Sequence, residues 1–211
     1  MRPQKAHRLR YNPPKNFLYF AQCRLYYWDM KNITTLFYAK PKDIAKGTVK
    51  MDAEESRHLA KVLRFRVGDK YILTDGQGKA WMTALERVDA KRCVGRLLHD
   101  EELPHLSSEL PAEVTCAVGV IRPTRFEHLL AGLVQLGTAR TIPLNCRYSD
   151  PGHVKRFSAG EYHGRLEKIN LSGMKNSLRT VLPELSFPMD MEELAHQKWD
   201  LVIFGDPDGL P

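Results

Sequence analysis

Residues 58–78 read H-L-A-K-V-L-R-F-R-V-G-D-K-Y-I-L-T-D-G-Q-G: a basic helix end, a tight turn, an apolar strand and a glycine hairpin in succession. Leu59, Val62 and Leu63 recur at i, i+3 and i+4, which predicts one apolar helix face, with Arg57, Lys61 and Arg64 on the other. Upstream, Asp52 stands three residues before Glu55, the spacing of a capping box at a helix start. The helix is expected to stop before Gly68 and Asp69, and Tyr71, Ile72 and Leu73 to form a buried strand. Asp75, Gly76, Gln77 and Gly78 supply the positive-φ positions that a hairpin turn needs. No helix N-terminus follows these glycines, so they are turn chemistry and not a phosphate cradle.

Outward from this stretch, strands are expected at about 33–38, 48–51, 80–88 and 92–98, with a loop over 41–46 closed by Gly47. That many short strands around one helix predict a small β-barrel, with Tyr71 and Trp81 in its core. Residues 99–111, H-D-E-E-L-P-H-L-S-S-E-L-P, are acidic with prolines near both ends and read as a linker. Beyond it the period changes. A buried strand is expected over 113–120 and a helix over 124–136, with Phe126, Leu129, Leu130 and Leu133 inward and Gly137 as its stop. A strand over 140–144, helices over 160–178 and 191–197, and an apolar strand over 199–204 follow. Alternating strands and helices predict a mostly parallel sheet covered by helices. The expected fold class is α+β in two domains: an extension outside the fold (1–30), a barrel (31–103), a linker (104–111) and an α/β domain (112–211).

The net charge of +7 is unevenly placed. Residues 1–30 hold six Lys/Arg and one acid, residues 31–100 fifteen against nine, and residues 101–211 eleven against fifteen. A basic front half is what phosphate binding requires. Arg57, Lys61, Arg64 and Arg66 fall within ten residues, with His58 between them, and are the candidate nucleic-acid contacts. Arg122, beside the first helix of the second domain, is a further candidate for a phosphate or a partner subunit. No apolar run approaches the ~18 residues a membrane span needs. Cys23, Cys93, Cys116 and Cys146 are widely spaced without a C-x-x-C pair, which argues against a disulfide framework or structural zinc and suits the cytoplasm. His58, His99, His105 and His128 lack ligand spacing, and no metal is expected. H-E-x-x-H, Walker A and G-x-S-x-G are absent from residues 1–211.

The motif H-L-x-x-V-L-R-x-R-x-G-D, then D-G-x-G, precedes I-R-P-T-R-F-E-H-L-L-A-G-L-V-Q-L-G-T-x-x-T-I-P-L (residues 121–144) and K-N-S-L-R-T-V-L-P-E (residues 175–184). In order and spacing these stretches resemble the 16S ribosomal RNA (uracil-N3)-methyltransferases of the SPOUT class, over residues 33–211. The resemblance implies a PUA-like RNA-binding barrel, an α/β domain that is knotted when complete, a homodimer and S-adenosylmethionine as methyl donor. It implies 16S rRNA of the small ribosomal subunit as partner. The implied transfer to uracil N3 is an in-line displacement, so most of the rate would come from positioning. A cation or donor would stabilise the anion left when N3 loses its proton. Arg179, at the family's arginine position, offers a fixed charge and a planar donor fork and is the candidate catalytic residue. A salt bridge or phosphate contact is its alternative role.

Three departures accompany the resemblance. Gln135 replaces a carboxylate, and Lys175-Asn176 replaces an E-Q pair. The family's G-P-E-G-G loop and L-R-x-E-T segment are not found in residues 1–211, and F-G-D-P-D-G-L at 204–210 is only superficially similar to the first. No cofactor-binding residue is therefore assigned. The expectation is a SPOUT-type domain without its C-terminal knot segment, and the alternative is a non-catalytic RNA-binding remnant of such an enzyme.

Overall fold

The computed structural model describes residues 35–98 and 109–205. The expected extension over 1–30 and the linker up to residue 108 lie outside the described residues. The first lobe is a six-stranded sheet in the order β1-β4-β5-β6-β3-β2, formed by Leu36–Tyr38 (β1), Ile44–Ala45 (β2), Thr48–Lys50 (β3), Lys70–Thr74 (β4), Ala80–Arg87 (β5) and Val94–Leu97 (β6). Only β1 and β4 pair in parallel. The sheet must curl. Its two edge strands, β1 and β2, are joined by only Ala39–Asp43, which reach at most about 20 Å, whereas a flat sheet would set them about 24 Å apart. Inside the curl lie Phe37, Val49, Met51, Leu59, Tyr71, Leu73, Leu85 and Cys93, with Trp81 packed at the margin. Tyr71 is thus a core residue, and Trp81 packs against the core partly buried. The turn after β4 has the expected left-handed glycines, Gly76 at φ 73° and Gly78 at φ 102°.

The helix of this lobe, Ala53–Arg57 (α1), is capped by Asp52, whose Oδ1 accepts the Glu55 N–H at 2.8 Å. From His58 to Val62 the turn widens. The Leu63 N–H reaches back five residues to the His58 carbonyl at 2.9 Å, and the Phe65 N–H six residues to that of Leu59 at 2.9 Å. A widened turn rotates everything after it and breaks the 3.6 period. Leu59 stays buried, but Val62 and Leu63 are exposed, a correction to the expected apolar triplet. Phe65 packs against the core in their place.

The second lobe is a parallel sheet. Arg140–Asn145 (β8) pairs with Thr115–Gly119 (β7) on one side and, on the other, with Glu184–Leu185 (β9) and Met189–Asp190 (β10). Helices Pro123–Gln135 (α2) and Gly160–Asn176 (α4) pack closely over it, and shorter helices span Pro151–Phe157 (α3) and Met191–Ala195 (α5). The inward ridge of α2 is Phe126, Leu130 and Val134, at i, i+4 and i+8, which meets Phe157, Tyr162, Leu166 and Met174. Leu129 and Leu133 only flank it. A Cβ on Gly173 would sit 2.9 Å from Val134 Cγ1, so only glycine lets α4 approach α2 this closely. Gly137, at φ 100°, ends α2 as expected.

Strand β2, which falls within the expected loop over 41–46, helix α3 and strands β9 and β10 were not foreseen from the sequence. Asp150 caps α3 by accepting the His153 N–H at 3.0 Å, with Pro151 in the first turn. Two expectations need correction. Strand β7 is half-exposed because it pairs only with β8 among the described residues. Residues 199–204 form no strand: Leu201, Val202, Ile203 and Phe204 are exposed. An apolar β-branched run becomes a strand only when a neighbour takes its N–H and C=O groups, and no described strand does so here.

Candidate functional site

The candidate cations lie on and around the widened turn after α1. Arg57, Lys61, Arg64 and Arg66 are all exposed, and none is held in a salt bridge by another described residue. Arg64 sits in the left-handed region at φ 55°, an uncommon conformation for a residue with a Cβ. The backbone N–H of Arg66 is held by Asp69 Oδ2 at 2.8 Å, which fixes the turn that carries them. His58 behaves differently. Its ring is half-buried 5.6 Å from the Phe37 ring, and burial together with the nearby Lys175 charge pushes its pKa below the ordinary imidazole value. His58 is therefore neutral at pH 7 and adds no charge to the cationic turn.

The two lobes meet along one continuous junction. Glu55, almost fully buried, presents its carboxylate not to its own helix start but to Lys175 Nζ on the last turn of α4. The glycine hairpin docks on the chain that follows. The Gly78 N–H donates to the Thr180 carbonyl at 3.0 Å, the Leu182 N–H to the Gly76 carbonyl at 2.8 Å, and Thr74 Oγ1 to the Thr180 carbonyl at 3.1 Å. Gln77 and Val181 form an antiparallel bridge between them. A Cβ on Gly76 would lie 2.9 Å from Tyr38 Cε2 and 3.3 Å from Leu182 Cβ, so this glycine serves a close approach as well as a turn.

Arg179 lies at the base of the same junction, 1 % exposed. Its Nε and Nη2 donate to Glu109 Oε2 at 2.9 and 2.5 Å, and its Nη1 to the carbonyls of Val134 and Thr138 at 2.9 and 2.8 Å. The second Glu109 oxygen accepts the Val181 N–H at 3.1 Å. A cation against the last-turn carbonyls of α2 also complements that helix dipole. The donor fork expected to face a uracil anion is thus directed at protein acceptors, the salt-bridge role. Arg122 is exposed at the opposite end of α2, and a helix of thirteen residues separates the two by roughly 20 Å. The structure therefore leaves the four barrel cations exposed and does not bring Arg122 and Arg179 together.

Past the C-terminal end of β8 an open cleft of about 630 Å³ is lined by Asn145, Cys146, Arg147, Ser149, Val154 and Lys155, among others. In parallel α/β sheets this end of the strands is where ligands bind. Asn145 Nδ2 donates to Asp190 Oδ1 at 2.8 Å, tying the ends of β8 and β10. No group of described His, Cys, Asp or Glu residues has the geometry to hold a metal ion, and no described helix is long and apolar enough to cross a membrane.

The model of the RNA methyltransferase PUA domain matches residues 52–98, and that of the RNA methyltransferase domain matches residues 108–209. Both matches are to domains of one family, the RNA methyltransferases. The chain's curled sheet and parallel α/β lobe are the two domains of that family in chain order. Among curated proteins it is similar to ribosomal RNA small subunit methyltransferase E of Synechocystis sp., 30% identical over 104 residues, or 49% of this chain and 33% of that protein. The chain thus spans about a third of that relative's length. Among solved structures it is similar to ribosomal RNA small subunit methyltransferase E from Neisseria gonorrhoeae bound to S-adenosyl methionine, with TM-score 0.65 and 25% identity over 79% of this chain and 66% of that one. The methyltransferase Lpg2936 from Legionella pneumophila, in complex with the same compound, shares the fold at TM-score 0.66 and 21% identity, over 82% of this chain and 69% of its own.

The sequence reading missed the groups that join the lobes. Glu55 read as a helix-start residue and Glu109 as linker acidity, while Lys175 stood out only as a departure from the family's pair. One signal was available: a carboxylate just before an apolar helix face, as Glu55 is, is easily buried and then needs a cation. The Arg147–Tyr148 loop carried no such signal.

Proposed function

We propose that this chain takes part in methylating uracil N3 of 16S rRNA in the small ribosomal subunit, with S-adenosylmethionine as donor, in the cytoplasm and as a homodimer. One observation carries the reading: four exposed cations on a PUA-like lobe that is locked to a methyltransferase lobe by an ion pair, a hairpin dock and a β-bridge. RNA held on the first lobe would be fixed relative to the second, as a transfer that depends on positioning requires. The names of the Synechocystis and Neisseria relatives support rRNA as the substrate class and S-adenosylmethionine as the donor. Uracil N3 rests on the likeness of the motifs at 58–78, 121–144 and 175–184.

The described residues do not make a fitting donor site. The cleft beyond β8 is open, and Arg147 and Lys155 would repel a sulfonium. No residue is assigned to the donor and no step is derived through it. The occupied fork of Arg179 favours a second reading, RNA binding without transfer by this chain. Calorimetry with S-adenosylmethionine, followed by label transfer from it to 16S rRNA, separates the two. The methyltransferase reading requires saturable heat and label in rRNA, with the donor held by groups other than the described residues. Retained RNA binding with neither heat nor label would leave the RNA-binding reading.

A further inference from the structure

We infer that the loop carrying Arg147 and Tyr148, together with Lys155, is a second RNA-contact surface that takes one unpaired nucleotide, with the base on the Tyr148 ring and its phosphate between the two cations. The inference rests on the RNA reading above and extends it from the first lobe to the second. Tyr148 is 89% exposed, a large aromatic ring left in water three residues past the end of a largely buried strand. The Arg147 guanidinium lies 5.5 Å from the centroid of that ring, a cation–π arrangement. One face of the ring is thus beside a cation and its surroundings are solvent. Aromatic rings beside backbone-tracking cations are how single strands are held, because every base offers a π-face while paired bases do not.

The local charge points the same way. Residues 101–211 are acidic overall, yet residues 147–156 contain Arg147, Lys155 and Arg156 against Asp150 alone. Asp150 is committed to its own helix: Oδ1 accepts the His153 N–H at 3.0 Å and lies 3.8 Å from that ring, and the bonds from α3 hold its pKa below the usual carboxylate range. Arg147 and Lys155 both line the open cleft past the end of β8, which is where a phosphate would meet the two cations. The loop is braced: the Cys146 N–H donates to Ser149 Oγ at 3.0 Å and the Ser149 N–H to the Cys146 carbonyl at 2.9 Å. A braced turn presents the ring at low ordering cost.

The test uses the full chain with a short single-stranded RNA carrying one 2-aminopurine and with a duplex of the same sequence. Tyr148→Ala should lower single-strand affinity roughly fivefold or more and abolish the stacking quench of the fluorescent base, with duplex affinity unchanged. Tyr148→Trp should keep both. Arg147→Gln should reduce the single-strand salt slope by about 0.7. Unchanged single-strand affinity and quench in Tyr148→Ala, in a protein that still binds RNA, would overturn this inference and leave the RNA reading standing. Equal losses on single strand and duplex would overturn it as well. Absence of RNA binding by the unaltered chain would overturn both.

Discussion

Replacing Arg179 by methionine is expected to cost about 3–5 kcal/mol of unfolding free energy, because it removes a buried guanidinium that faces both the Glu109 carboxylate and two backbone carbonyls. For a chain of this size that is a fall in Tm of roughly 6–20 °C. The same guanidinium satisfies the carbonyls of Val134 and Thr138, so the loss spreads to the end of α2 and the turn after it. Arg179→Lys should recover only a small part, since one ammonium cannot reproduce a planar fork that meets a carboxylate and two carbonyls together. Removing Glu109 and Arg179 together, as Glu109→Gln with Arg179→Met, should cost less than Arg179→Met alone. Thermal melts followed by circular dichroism read all three. Native-like melting of Arg179→Met, accompanied by lost methyl transfer, would return Arg179 to the catalytic role expected from its family position.

Lys175→Met is expected to be nearly as damaging, about 3–5 kcal/mol at pH 7, and in a pH-dependent way. Burial raises the Glu55 pKa above its ordinary value of 4.5, and the Lys175 charge and hydrogen bond oppose that rise. A carboxyl whose pKa is raised on folding contributes stability that is full below its unfolded pKa and is lost as pH climbs through the folded value. Without Lys175 the folded pKa moves further up, so more stability is lost at neutral pH. Lowering the pH toward 5 protonates Glu55 and should return part of the loss. Adding Glu55→Gln to Lys175→Met should return most of it at pH 7, because no buried charge is left. Denaturant unfolding at pH 5 and pH 7 measures this. A deficit that is the same at both values would show that Glu55 is not the group left exposed to the loss.

The parts of this molecule legible in its sequence are those that local rules decide. Strand β4 and the turn at Asp75–Gly78 declared themselves because a continuous apolar run met glycines at positive φ, and Asp52 declared the start of α1 by its spacing to Glu55. The widened turn at His58–Val62 was hidden because hydrogen-bond reach, not composition, sets it, and it turned Val62 and Leu63 out to solvent. Residues 199–204 misled in the opposite direction, since β-propensity describes a segment while a strand requires a partner. The junction was illegible for a different reason. Glu109 meets Arg179 across 70 residues and Glu55 meets Lys175 across 120, and no local pattern encodes such pairs. Charge asymmetry drew attention to Arg57, Lys61, Arg64 and Arg66, and the structure leaves all four exposed.

The proposed RNA contact through Arg57, Lys61, Arg64 and Arg66 is measured most directly by the salt dependence of binding. Binding of 16S rRNA fragments should be titrated across ionic strength with the unaltered chain and with Arg57, Lys61, Arg64 and Arg66 all changed to glutamine. The four exposed cations predict that the slope of log affinity against log salt becomes shallower by about 3 in the variant. The side chains are solvent-facing, so the melting temperature should stay unchanged. An identical slope in the two proteins, with both folded, would contradict RNA binding through this face.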